Sequence, residues 1–68
     1  MNDTAKKLGE NIKLIRKEKG MSQGDLCRAL ELDRAYISNV ENGNKNPTLT
    51  TIEKIAVALG VKVSELLK

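Results

Sequence analysis

Residues 22–42 read SQGDLCRALELDRAYISNVEN, and two helical patterns meet in them with almost nothing between. The first opens at Ser22. Ser22-Gln23-Gly24-Asp25 has the form of a capping box with Asp in place of Glu: the Ser side chain satisfies an orphan amide of the first turn, and the acid reaches back to the amide of the cap. Leu26, Cys27, Ala29 and Leu30 form the expected inner side. The second pattern opens at Asp33, whose carboxylate suits a helix start by accepting backbone N–H groups and favouring the positive helix end. It runs from Arg34 to about Asn42, with Ile37 and Val40 inward and Asn42-Gly43 as its stop. Only Glu31, Leu32 and Asp33 lie between the two. A connection that short fixes a large angle between the helices, the helix-turn-helix geometry, here over about residues 23–42. The arrangement needs Leu26, Leu30, Leu32, Ile37 and Val40 turned inward and a small residue at position 27, a role Cys27 fills as a small hydrophobe.

With those residues inward, the other side of the second helix carries Arg34, Ala35, Ser38 and Asn39, with Tyr36 at its edge. These groups are short or hydrogen-bonding, and neither Glu nor Lys occurs between Arg34 and Val40. A purely solvated helix more usually carries both. The major groove of B-form DNA offers guanine acceptors suited to Arg, adenine's donor–acceptor pair suited to Asn, and thymine methyls suited to Ala. A helix presenting such groups at its N-terminal end matches a base-reading element. Composition and spacing leave a plain polar surface helix as the alternative.

On either side the pattern stays helical. The first helix is predicted from about Thr4 to Lys19, with Ala5, Leu8, Ile12, Ile15 and Lys19 on one face and Gly20 as its stop. Leu14 lies off that face, as a lone exposed leucine or as part of a contact surface. Asn44-Lys45-Asn46-Pro47 is a polar loop. Thr48 caps a fourth helix, in which Leu49, Ile52, Ile55, Ala56 and Leu59 share a stripe that Gly60 ends. Val61, Val63, Leu66 and Leu67 belong to a short final helix or turn. The expectation is an all-α fold of five helices forming a single domain over residues 1–68.

Composition removes most other functions. The chain has 68 residues with no His, one Cys, one Tyr, and neither Trp nor Phe. Without His there is no Ser-His or Cys-His nucleophile, and one Cys makes neither a structural zinc site nor an internal disulfide. No apolar run approaches the ~20 residues that cross a bilayer, and the first residues lack the apolar core of a signal peptide. A cytoplasmic protein is expected, with no catalytic residues, metal, cofactor or membrane partner. One aromatic residue builds no stacking platform for single strands. The net charge of +3 sits wholly within residues 1–20. It points only weakly to a polyanion, because Lys6, Glu10 and Lys13 are also spaced for local ion pairs on a solvated face.

From Leu8 to Leu67 the sequence resembles the Cro and lambda-repressor-like helix-turn-helix family, also called the XRE family. The matching residues are Ile12 and Ile15-Arg16, Gly20-Met21-Ser22-Gln23, Asp25-Leu26, Tyr36-Ile37-Ser38, Glu41-Asn42-Gly43, Pro47-Thr48-Leu49, and Ile55-Ala56-Val57-Ala58-Leu59-Gly60-Val61. The resemblance implies a five-helix DNA-binding domain that binds operator DNA as a homodimer. By position it implies that Arg34, Ala35, Ser38 and Asn39 face bases, and that Ser22 and Gln23, with Tyr36, meet the backbone. It adds Asn42, Asn44, Lys45 and Asn46 as a clamp on the other flank, where a turn that merely favours Asn and Gly is the plainer reading. It also implies a partly buried structural ion pair between Arg16 and Glu41; breaking such a pair is costly, so Glu41→Ala is expected to destabilise the fold and to weaken DNA binding only indirectly. Two departures stand out: Glu31 occupies a turn position where the family often has Gly, and Cys27 replaces the usual Ala. Within the family, residues 32–38 are similar to restriction-modification controller proteins and to prophage repressors.

The function expected is a sequence-specific regulator of transcription, a homodimer on a pseudo-palindromic operator. The apolar C-terminal residues Val61, Val63, Leu66 and Leu67, with the end of the fourth helix, are the expected dimer contact; capping of the monomer core is the alternative. Repression follows if the operator overlaps a promoter, and activation if the bound dimer touches RNA polymerase. A protein-interaction module, such as an antitoxin or anti-repressor partner, is the rival from another class.

Overall fold

A computed structural model describes residues 3–68; residues 1 and 2 of the expected unit lie outside the described residues. Five helices follow one another: α1 (Asp3–Glu18), α2 (Gln23–Leu30), α3 (Arg34–Glu41), α4 (Leu49–Leu59) and α5 (Val63–Leu66). No strand occurs among the described residues. Helices as short as α2 and α3 are marginal alone in water, so their persistence depends on packing. They share one core in which Leu8, Ile12, Leu26, Ile37, Val40, Ile55, Leu59 and Leu66 are buried together. Helix α1 lies against α3 and α5, and α2 against α3 and α4.

The helix ends follow the chemistry of their residues. Ser22 Oγ accepts the Asp25 N–H at 3.0 Å, and Asp25 Oδ2 accepts the Ser22 N–H at 2.9 Å, completing the capping box. Thr48 Oγ1 accepts the Thr51 N–H at 3.2 Å at the start of α4. Asp33 differs from expectation. It occupies the N-cap of α3 with extended backbone, but its side chain makes no capping hydrogen bond. Its carbonyl accepts the Ile37 N–H at 3.2 Å while the side chain stays exposed. Glu31 adopts the left-handed conformation at φ 56°, closing α2 through its N–H to the Arg28 and Cys27 carbonyls. The turn keeps the geometry usually given to Gly, at a strain of about 1 kcal/mol for a residue with a Cβ.

Two inward assignments change. Ala29 is exposed, because Leu26, Cys27 and Leu30 already span the arc of α2 that meets the core. Leu49 is 64% exposed; as the first residue of α4 it precedes the turn where the stripe reaches the core. Leu14 is exposed as well.

A close approach sets the position of α1. A Cβ on Gly9 would stand 2.3 Å from the Val40 carbonyl oxygen and 2.6 Å from that of Glu41, so only hydrogen fits where α1 crosses the end of α3. Asn11, two residues on and round the other side of α1, donates from Nδ2 to the Leu66 carbonyl at 3.0 Å and so occupies an orphan acceptor at the end of α5.

Candidate nucleic-acid interface

Helix α3 is fixed from below by Ile37 and Val40, both fully buried or nearly so, and this fixes what faces outward. Arg34 and Ala35 are exposed at its N-terminal end, and Ser38 and Asn39 follow half-buried one turn later. The four residues lie on the side of α3 away from the core, in the arc expected from the sequence. Tyr36 is half-buried against the core, and Lys45 Nζ sits 5.6 Å from its ring centroid. That distance allows a cation–π attraction, which draws the 44–46 loop toward the edge of α3.

The chain after α3 turns sharply. Asn42 and Gly43 donate their N–H groups to the Ser38 and Val40 carbonyls, and the Asn44 N–H reaches the Asn39 carbonyl at 2.8 Å. Gly43 holds φ at 78°, and a Cβ there would meet Lys6 Cα at 2.9 Å. Gly43 therefore sits against Lys6 near the start of α1, while Asn42, Asn44, Lys45 and Asn46 are exposed. By sequence Lys6 is one cation of a solvated face; the packing of Gly43 places the Lys6 backbone beside the turn after α3.

On the opposite flank the start of α2 is more engaged than expected. The Ser22 hydroxyl oxygen and the Asp25 carboxylate are occupied by the capping box. Asp25 also pairs with Arg28. The Ser22 N–H, then the Ser22 hydroxyl, hold the Asp25 carboxyl below its ordinary value, with Arg28 adding to the shift. Gln23 is half-buried, and its Nε2 donates to Glu41 Oε1 at 3.0 Å. The side chains of Ser22 and Gln23 thus have partners within the chain. The first-turn amides of Gln23 and Gly24 remain donors without an intrahelical acceptor, as at any α-helix start.

Glu41 is the centre of a buried network. Its Oε2 accepts Arg16 Nε at 2.7 Å and its Oε1 accepts Arg16 Nη2 at 3.2 Å, with Arg16 6% and Glu41 4% exposed. Arg16 Nη1 donates to the Met21 carbonyl at 2.7 Å, one residue before the cap of α2. The paired, fork-like geometry suits guanidinium and carboxylate. The sequence shows no sign of the Gln23 link because it joins residues that only the packing of α2 on α3 brings together; the Met21 link closes locally across the turn that ends α1.

At the C-terminus, Leu66 is a correction. It is completely buried inside the monomer, because α5 folds back beneath α1 and α4, and it presents no surface to a partner. Val61 and Val63 are half-buried, while Leu67 is 49% exposed and Val57 80% exposed.

Two short helices set across a three-residue turn, the second with its apolar side locked and its polar side outward, define a helix-turn-helix protein. The chain belongs to the helix-turn-helix family of the XRE type: residues 12–66 match the family described as "Helix-turn-helix". It is 43% identical over 67 residues to control protein C.MunI of a Mycoplasma species, spanning 97% of this chain and 90% of that protein. Its fold is similar to that of the restriction-modification controller protein C.AhdI from Aeromonas hydrophila. The TM-score is 0.90 at 37% identity, over 96% of this chain and 98% of that one. It is also similar to controller protein C.Esp1396I, solved as a tetramer with its natural 35 base-pair operator, at TM-score 0.85 and 37% identity over all of both chains. The chain is thus a helix-turn-helix transcription regulator in class, and no helix among the described residues is long and apolar enough to cross a membrane.

Proposed function

We propose that the chain binds double-stranded DNA sequence-specifically as a homodimer on a pseudo-palindromic operator, in the manner of a restriction-modification controller protein. The observation that carries this reading is the outward arc of α3. Arg34 and Ala35 are exposed there above a locked apolar face, with backbone amides at the start of α2 on one flank and the 42–46 loop on the other. Phosphate contacts on both flanks would set the register, and α3 would read bases between them. Arg34 is the base-reading residue assigned to guanine, with Ala35, Ser38 and Asn39 completing the arc. Lys45, Asn42, Asn44 and Asn46 hold the phosphates beyond α3, with Tyr36 supporting Lys45. A second copy supplies the second reading helix, and half-site centres stand ~34 Å apart. With Leu66 buried, the dimer face reduces to Val61, Val63 and Leu67 together with Val57 near the end of α4. A cytoplasmic location goes with a DNA partner.

Selection from a pool of random duplexes tests this directly. Two inverted half-sites about 10 base pairs apart, centre to centre, are the expected outcome. An enriched but unrepeated single half-site would remove the dimer. No enrichment at low salt would remove DNA reading and leave a protein-interaction module.

A further inference from the structure

The Arg16–Glu41 pair has a third member at the very start of α2, and this gives Glu41 a route to the DNA face that a purely structural ion pair lacks. A carboxylate has only lone pairs to offer, so the Gln23 carboxamide must turn its NH2 group toward Glu41. One Nε2 hydrogen is committed to Glu41 Oε1 at 3.0 Å. The second hydrogen of the same planar group points away from that bond. Gln23 is also the first residue of α2, where the backbone amides of Gln23 and Gly24 are open. One carboxylate therefore holds three things in register: Arg16 in α1, the Met21 carbonyl through Arg16, and the Gln23 side chain. Glu41 itself is the last residue of α3, immediately before the 42–46 loop.

We propose that Glu41 is a positioning residue for the DNA backbone, tethering the Gln23 carboxamide so that its second N–H joins the α2 amides on one phosphate. The inference deepens the DNA-binding reading and rests on it. Gln23 is the residue that would touch the phosphate, and Glu41 acts through it. The tether ties the phosphate site on one flank of α3 to the residue from which the other flank departs. It replaces the expectation that Glu41 affects DNA only through stability.

A neutral donor neutralises no phosphate charge and releases few counterions. Loss of the Gln23 contact is therefore expected to lower affinity at every salt concentration alike, and this separates it from loss of a cation. The test uses the full chain and two duplexes, the selected site and an unrelated sequence, titrated over a range of KCl concentrations. Gln23→Asn keeps a carboxamide but lacks the methylene needed to span Glu41 and a phosphate. It is expected to leave melting near the wild-type value and to weaken binding about 5- to 10-fold on both duplexes, with an unchanged salt slope; 10-fold corresponds to about 1.4 kcal/mol. Glu41→Gln, studied below its own melting range, is expected to weaken wild-type binding and to add nothing further in the Gln23→Asn background. Wild-type affinity in Gln23→Asn would overturn the tether. So would an equal loss from Glu41→Gln with and without Gln23. If Glu41→Gln does not fold, Glu41→Asp, which keeps the charge on Arg16 but falls short of Gln23, takes its place, and wild-type affinity in Gln23→Asn still overturns the tether. A wild-type chain that holds no duplex at low salt would instead sink the DNA reading, and the tether with it.

Discussion

Gly9 shows how much one hydrogen atom can carry. Alanine normally improves a helix interior over glycine by about 1 kcal/mol. At Gly9 the new methyl would meet the Val40 and Glu41 carbonyl oxygens, which are backbone atoms at the end of α3 and have little room to retreat. Overpacking of this kind costs ~1–3 kcal/mol and at times more. Gly9→Ala is therefore expected to lose about 1–2 kcal/mol net, lowering the urea midpoint and pushing α1 away from the end of α3, which pulls Arg16 from Glu41. A midpoint equal to or above wild type would show that α1 does not lie where it is placed. Glu31 makes the converse case. Its φ of 56° is easy for glycine and strained for glutamate. Glu31→Gly is expected to gain about 0.5–1 kcal/mol, a rise of a few degrees in melting temperature for a chain of this size. A fall in melting temperature would mean that the Glu31 side chain contributes more than the strain removes.

Among the elements, α2 carries a pH dependence that can be worked out. In the folded chain the Asp25 carboxyl is held below its ordinary 3.8 by the Ser22 N–H and hydroxyl, with Arg28 assisting. A carboxyl with a lowered folded value contributes stability that is complete above the unfolded value. That contribution fades as pH falls below ~3.8 and is gone once pH passes the folded value. Wild type and Asp25→Ala should therefore differ in melting temperature at neutral pH and converge in acid, so that the acid limb of the variant is shallower. Parallel acid limbs would remove Asp25 as a contributor.

On the proposed reading, helix α3 and the loop after it are expected to make separable contributions to DNA binding. Arg34→Ala is expected to cost ~1–3 kcal/mol and to relax preference at one base pair, whereas Lys45→Ala should weaken all duplexes alike and flatten the salt dependence by about one ion. An unchanged selected site in Arg34→Ala would end the base-reading assignment.

Both helices of the motif were legible because their signals are local. The capping box, the Ile37–Val40 spacing and the short Glu31–Asp33 turn each act within one or two helical turns. What sequence reasoning missed is tertiary. Gln23 and Glu41 lie 18 residues apart, and only the packing of α2 on α3 brings them to hydrogen-bond distance. Leu49 and Ala29 fit the apolar pattern, yet the arcs of contact end before reaching them. Gly9 has no mark in the sequence pattern, because periodicity gives no sign that a backbone lies across it.

For the whole molecule, the limiting quantity is the size of the core. A chain of 68 residues rarely draws more than ~3–5 kcal/mol from one core, so the proposed dimer would add stability as well as a second reading helix. Leu66 belongs to that core, and replacing it by a charge would unfold the monomer before revealing anything about association. Val57 is the informative position. It is 80% exposed, on the outer side of α4 from the buried Ile55, Ala56 and Leu59, so a charge there leaves the monomer core intact. Across a two-fold interface the same charge meets its own copy, a like-charge contact that opposes association. Val57→Glu is expected to melt as a folded chain, to sediment near the 7.5 kDa of one copy where wild type sediments near twice that, and to lose affinity for the two-fold site. The affinity loss should be on the order of 10²-fold, because the second reading helix no longer binds at the effective concentration set by the first. Its affinity for an isolated half-site should be unchanged, since α3 is untouched. A Val57→Glu chain that still sediments at twice the monomer mass would move the dimer face away from α4, and Leu67→Glu would then decide whether the C-terminal residues form it alone.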